Sequence, residues 1–338
     1  MKLLLPLLLS AGIASAQSAA MPAYRVAATW PVGGAGGWDY VSADPAGGRL
    51  YAAHGTQVEV LDLKTGKVVG TIPETPGVHG ILVVPALKRG FITCGRNDAV
   101  KIFDPKTLRV TATVPTGTKP DALVYDKGTG RLFVFNNGTA TATVIDAAKG
   151  TVVGTAELGG SPEAGVSDGQ GTIFVNLEDK NEIVAFDART LAVKHRWPLA
   201  PGEEPTGLAL DRAHHRLFSV CGNDKMIVLN SLTGAKVAEL PIGAGADGVV
   251  FDPTRQVALS ANGSGTLTVV HEDSPTAFWV TQTLTTARGA RTIDLDPTTH
   301  RAYLLTATYG PAPAAAVGSA GRPRPSIMPG TFRVLVVE

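Results

Sequence analysis

The chain has 338 residues, with 30 Lys and Arg against 29 Asp and Glu. So balanced a charge supplies no global field to attract DNA or an anionic membrane. The length is large for one ordinary core, although closed β architectures grow past the usual limit.

Residues 1–16 read as a separate object. Lys2 opens a minimal positive region, "LLLPLLLSAGIA" follows as an apolar core, and "ASA" ends at Ala16 in a small-residue cleavage site. This is the pattern of a secretory signal peptide. No Cys follows the site to carry a lipid anchor. Nothing later approaches the roughly 20 consecutive apolar residues needed to span a bilayer. The expectation is a periplasmic or secreted monomer with no membrane span, its single domain occupying residues 17–338. Lys2 is the leader's only charge, so that domain carries 29 basic and 29 acidic residues.

Beyond the leader the chain repeats. "RLYAAHGTQVEVLDLKTGKVVGTIPETPG" from Arg49 aligns with "RGFITCGRNDAVKIFDPKTLRVTATVPTGT" from Arg89 and "RLFVFNNGTATATVIDAAKGTVVGTAELGGSPEAG" from Arg131. "RLFSVCGNDKMIVLNSLTGAKVAELPIGA" from Arg216 is a further copy, looser ones begin at Gly171 and Gln256, and a last begins at Arg301. Corresponding points at Asp39, His79, Asp121, Glu163, Thr206, Asp247 and Arg291 lie 40 to 44 residues apart, which makes seven units. Each unit holds four short β-type runs. In the first they are residues 39–43, 49–54, 58–63 and 67–73, separated by the turns "DPAGG", "GTQ" and "KTG". Four strands at a period near 40 specify an all-β fold, a seven-bladed β-propeller.

The seventh unit ends in "TFRVLVVE", which matches a third strand and stops. The missing fourth strand is available in "YRVAATWPV", residues 24–32, so the N-terminal strand is expected to complete the last blade and remove two exposed edges. The same unit carries an insertion, residues 307–330, rich in Pro, Gly and Ala, whose only charges are Arg322 and Arg324. It is either a linker or a lid that brings those arginines towards the channel mouth.

Propeller topology gathers the unit-start residues, Asp39, His79, Asp121, Glu163, Thr206, Asp247 and Arg291, into one ring at the channel mouth. The ends of the second strands, His54, Cys94, Asn136, Asn176, Cys221, Asn262 and Thr306, are expected to form a wider ring on that face. Four carboxylates with a His and an Arg make either a pocket for a cationic or polyhydroxylated ligand, or a divalent metal held by oxygens, or a structural ring that satisfies backbone groups. His54 and His79, on adjacent blades, form a candidate acid/base or metal pair. His195, His271, His214, His215 and His300 fall on other strands or turns and add nothing to the mouth. Trp38 stands where other units carry Val, Pro or Ala, and serves either as a stacking platform or as a filler between blades. Cys94 and Cys221 hold the same position in blades roughly 150° apart around a sevenfold ring, so they are expected to be unpaired thiols.

The aromatic–Val–x–Asn–x–Gly/Asp pattern, followed by "TVID" and "GSPEAG", resembles the YVTN-type, or YncE-like, seven-bladed propellers, with "FVFNNGTATATVIDAAKGTVVGTAELGGSPEAG" the nearest unit. The resemblance runs over residues 24–338. It implies an exported propeller, and its motifs are turn and core residues that carry no activity. The leading expectation is a non-catalytic binding or scaffold protein, with an unidentified small molecule or protein at the mouth and no assignable cofactor. A lactonase-like hydrolase or lyase using His54, His79 and the ring carboxylates is the alternative. DNA binding, described for some relatives, conflicts with the balanced charge and the acidic ring.

Overall fold

The computed structural model describes residues 23–311 and 325–338. The leader (residues 1–16), and Arg322 and Arg324 of the insertion, lie outside the described residues. Among the described residues no helix is long and apolar enough to cross a membrane.

Seven four-stranded antiparallel sheets form a ring of blades. The first blade runs outwards through Trp38–Asp44, Arg49–His54, Gln57–Asp62 and Val68–Ile72. The inner strands of the next five are Val78–Val84, Pro120–Asp126, Pro162–Ser167, Pro205–Asp211 and Ala246–Asp252. The seventh begins with Ile293–Asp296 and continues through Arg301–Thr306 and Arg333–Val337. Its fourth strand is Val26–Pro31, paired antiparallel with Arg333–Val337. The expected closure is therefore present.

Alternation within each strand buries both faces of a blade against its neighbours. Seven apolar clusters result, each shared by two adjacent blades. Aromatic pairs stitch them: Tyr51 with Phe103 across the first and second blades, Phe133 with Phe186 across the third and fourth, Phe218 with Phe251 across the fifth and sixth. A fully buried aromatic side chain contributes about 1.5–3 kcal/mol relative to exposure, so the inter-blade seams supply most of the cohesion.

One irregularity recurs. In the first blade Trp38 pairs with His54 but Val41 pairs with Ala52, so one extra residue is fitted into the inner strand. The same shift follows Val78, Pro120, Pro162, Pro205 and Ala246. Such a β-bulge turns a side chain out of the pleat. The residues it affects are the mouth-ring positions Asp39, His79, Asp121, Glu163, Thr206 and Asp247.

The wider ring differs from expectation in two respects. Its members are buried and do not line the mouth: Asn136 donates to Thr141 and Thr143 on its own third strand, and Asn262 likewise to Thr266 and Thr268. In the fourth blade Leu177, not Asn176, pairs with Pro162. The strand therefore ends at Leu177, one residue later than the alignment expects, and the 3₁₀ turn Glu178–Lys180 follows. Asn176 instead points to the fifth blade, where its amide donates to the carbonyls of Thr206 and Gly207 at 2.9 and 3.0 Å.

The latch between the ends is made of several polar contacts. Tyr24 is buried and exchanges hydrogen bonds with the Gln282 side chain at 2.8 and 2.7 Å. Arg25 and Glu338 exchange backbone bonds at 3.0 and 3.1 Å, and their side chains pair at 2.5 Å. Deleting residues 1–35 should remove roughly 5 kcal/mol from these bonds and the Tyr24 burial together, a large part of a normal folding free energy. The truncated chain is expected to melt far lower or aggregate in size-exclusion chromatography; unchanged melting would refute the latch. Cys94 and Cys221 are free and buried, and burial pushes both thiols up to about 11. Both should resist alkylation in the native protein and label fully, without reductant, after unfolding.

Candidate functional site at the channel mouth

Bulges at the starts of the inner strands bring Asp39, His79, Asp121 and Glu163 to one end of the axial channel. With Trp38, Asn137 and Arg291 they line a cavity of 620 Å³, and Arg96 and Lys119 line it too. His79 Nδ1 hydrogen-bonds the Asp39 carboxylate and lies 3.7 Å from Asp121 Oδ1. That Asp121 oxygen is buried and has no hydrogen-bond partner. Asn137 Nδ2 donates to Glu163 Oε1 at 3.1 Å. Arg291 Nε donates to Asp247 Oδ2 at 2.5 Å, so this carboxylate already has its cation. Asp247 lines a second cavity of 220 Å³ in the channel interior.

The sequence-derived set therefore divides. Asp39, His79, Asp121 and Glu163 come together; Arg291 and Asp247 form a pair beside them. Thr206 turns away, donating to the Ala246 carbonyl at 3.1 Å. His54 is not at the cavity: it is 3% exposed, its ring tilted against Phe332 at 4.3 Å, with Nδ1 3.5 Å from Glu59. The proposed His54–His79 pairing is replaced by Asp39–His79–Asp121. Trp38 stacks on Phe332 and tilts against Tyr309, both at 6.0 Å, so it fills the seam between the first and last blades and presents only 8% of its surface. The insertion's stem is at this face as expected: Tyr309 bridges Ile327, and the Arg288 guanidinium lies 5.1 Å from the Tyr309 ring.

Tyr40 was missed from the sequence. It packs against the apolar cluster of the third and fourth blades although it belongs to the first, so its ring crosses the axis. It also lines the interior cavity. Burial, then the charges of Asp121, Asp39, Asp247 and Glu163, hold its hydroxyl well above the usual range. The signal was available: the residues following the ring positions are Tyr40, Gly80, Ala122, Ala164, Gly207, Gly248 and Thr292. Six small side chains leave room for one large one.

Crowded carboxylates with little water cannot all ionise. Burial and the neighbouring Asp39 push Asp121 up to about 7; burial and Asp121 push Glu163 up to about 9. Burial also raises Asp247, and Arg291 only partly offsets it. Burial opposes a charge on His79, but the bond to Asp39 and the field of Asp121 outweigh it and raise the imidazole. The donor atoms of Asp39, His79 and Asp121 lie within 4.8 Å of one another. This mouth can orient an imidazole against a carboxylate, hold a cation, and exchange protons as the cation arrives.

A carboxyl whose pKa is higher folded than unfolded binds its proton more tightly in the native state. Its contribution to stability is therefore lost as pH rises from the unfolded value towards the folded one. Asp121→Asn should melt close to wild type near pH 4.5 and several degrees above it near pH 8, when thermal unfolding is followed by circular dichroism. Equal differences at both pH values would contradict the buried-carboxylate account.

No family model matches the chain, and no curated protein matches it in sequence. Among solved structures it is similar to a chain of the mitotic checkpoint complex, with a TM-score of 0.70 and 15% identity over 88% of this chain and 94% of that one. It is also similar to a chain of Kuenenia stuttgartiensis hydrazine synthase, with a TM-score of 0.69 and 15% identity over 80% and 92%. At this identity the likeness concerns the fold alone: the chain is a seven-bladed β-propeller.

Proposed function

We propose that the chain is an exported, non-catalytic binding propeller of the YncE-like type whose channel mouth takes a small organic cation. The observation that carries this reading is the partnerless buried oxygen of Asp121, facing His79 and Asp39 in the 620 Å³ cavity. A volume of that order suits a small organic molecule and far exceeds the need of a bare ion. A cationic head on this floor supplies the charge that lets Asp121 and Glu163 ionise. Arg96 and Lys119, also lining the cavity, suit an anionic group at the ligand's other end. The leader-like residues 1–16 support export, and the repeat motifs support the family type.

A second reading, lactonase-like hydrolysis, draws on the Asp39–His79 pair. A carboxylate that fixes an imidazole tautomer prepares it as a general base, and Asp121 completes a possible metal donor set.

Isothermal titration and melting with a quaternary ammonium, a diamine, a zwitterionic amino acid and a neutral sugar separate the readings. A cationic or zwitterionic member should stabilise the wild type and lose its effect in Asp121→Asn. Because the cation favours ionised Asp121, affinity should rise as pH climbs through about 7, with proton release visible as buffer-dependent heat. A panel without a stabilising member, or affinity that falls with rising pH, overturns the binding reading. Lactone hydrolysis abolished in His79→Ala would favour the second.

A further inference from the structure

On the face opposite the mouth, Asp211 ends the inner strand of the fifth blade and His214 sits in the turn that follows. Glu272 reaches them from the sixth blade, near the end of its third strand, Thr266–Ser274. His214 Nδ1 is 2.7 Å from Asp211 Oδ2 and 3.1 Å from Glu272 Oε1. The three donor atoms lie within 4.8 Å of one another.

Glu272 is anomalous in the repeat. The residue after the third strand's pairing to the start of the second is Leu63, Pro105, Ala147, Ala188 and Ser231 in the first five blades. Ala147, Ala188 and Ser231 are buried there. The sixth blade places a carboxylate at this position, on a third strand of nine residues where the others have five or six. The Glu272 side chain is 1% exposed, and neither of its oxygens has a hydrogen-bond partner.

Charge accounting leaves this group incomplete. A single imidazole proton cannot serve two carboxylates at once. Arg216 lends the cluster its field but no hydrogen bond: its Nε and Nη1 donate to the carbonyls of Pro275 and His215 at 2.6 and 2.9 Å. Asp211 Oδ1 accepts from the Ala213 amide at 2.9 Å, and Oδ2, which faces the cluster, accepts from the His214 amide at 3.3 Å, a long bond that leaves it a lone pair for an ion. Leaving a buried carboxylate unpaired is expensive.

We infer that Asp211, His214 and Glu272 form a binding site for a divalent first-row transition-metal ion that staples the fifth blade to the sixth. An ion about 2.1 Å from each donor sets neighbouring donors roughly 3.0–3.4 Å apart, close to the two separations to His214. The imidazole nitrogen selects against Ca²⁺ and Mg²⁺, which prefer all-oxygen shells. His214 is 32% exposed at its side chain, so the site opens to solvent on one side, where waters complete the shell. The burial that pushes Glu272 up to about 7 in the ion's absence makes a proton the ion's competitor. This inference does not rest on the reading of the channel mouth.

The test uses full-length protein stripped with EDTA and titrated with Co²⁺, which reports its ligands through visible d–d bands, and with Zn²⁺. Because Asp39, His79 and Asp121 offer another donor set, the background is the His79→Ala, Asp121→Asn double variant. That background should bind one equivalent of Co²⁺, and Zn²⁺ should raise its melting temperature. Adding Glu272→Gln, a neutral isostere that relieves a buried charge and should fold, must abolish both effects. His214→Ala, altering a partly exposed turn residue, must abolish the d–d bands as well. A background that binds no Co²⁺, or a Glu272→Gln protein that keeps its equivalent and its Zn²⁺ stabilisation, overturns the site.

Discussion

Everything at the channel mouth follows from how closely seven inner strands must approach around one axis. At Gly80 a methyl group would lie 2.9 Å from the Asp121 carbonyl, and at Gly207 2.4 Å from that of Asp247. No side chain fits at these glycines, and Ala122, Ala164 and Thr292 keep the equivalent positions small in three further blades beside Gly248. Thr93 and Thr292 hold the contact by donating to the carbonyls of Asp121 and Asp39 at 2.6 and 2.7 Å. The bulge beside each contact re-aims the preceding side chain, and the mouth residues are the ones so aimed. Tyr40 is the exception that the others make room for.

The same convergence explains the electrostatics. Blade geometry delivers one side chain per unit to one small volume, whatever its charge. Where a cation is delivered beside an anion, as with Arg291 and Asp247, the pair offsets part of its own burial cost. Where carboxylates meet one imidazole, protons must remain bound or a cation must arrive. The opposite face shows the same arithmetic at Asp211, His214 and Glu272, reached there through a lengthened strand instead of a bulge. Both clusters are local departures from a repeat that otherwise spends its residues on seams and turns.

Much of this is legible in the amino-acid sequence. Period, turn chemistry and strand count identify the fold, and the blade register places Asp39, His79, Asp121 and Glu163 together. Three things were not legible, for physical reasons. His54 is polar in sequence, but its burial under Phe332 depends on where the chain returns after the insertion. Asn176 sits one residue before the strand end because in "TIFVNL" the Asn follows Val directly, whereas in "RLFVFN" one more residue intervenes, so matching the two asparagines slips the register. Glu272 looks like an ordinary surface acid in "VVHEDS" until strand pairing puts it inside a seam. Tyr40, by contrast, was readable from its six small counterparts.

The pairing of Val26–Pro31 with Arg333–Val337 also orders events in time. Arg25 and Glu338 are 313 residues apart, and joining chain ends so distant costs about 5 kcal/mol of loop entropy if nothing between them is yet folded. That cost shrinks only as intervening blades stack and carry the ends towards each other. The latch is therefore a late step in folding and an early one in opening. Until it forms, the last blade presents a bare edge of "RVLVV", an aggregation-prone template during any interval between synthesis and ring closure.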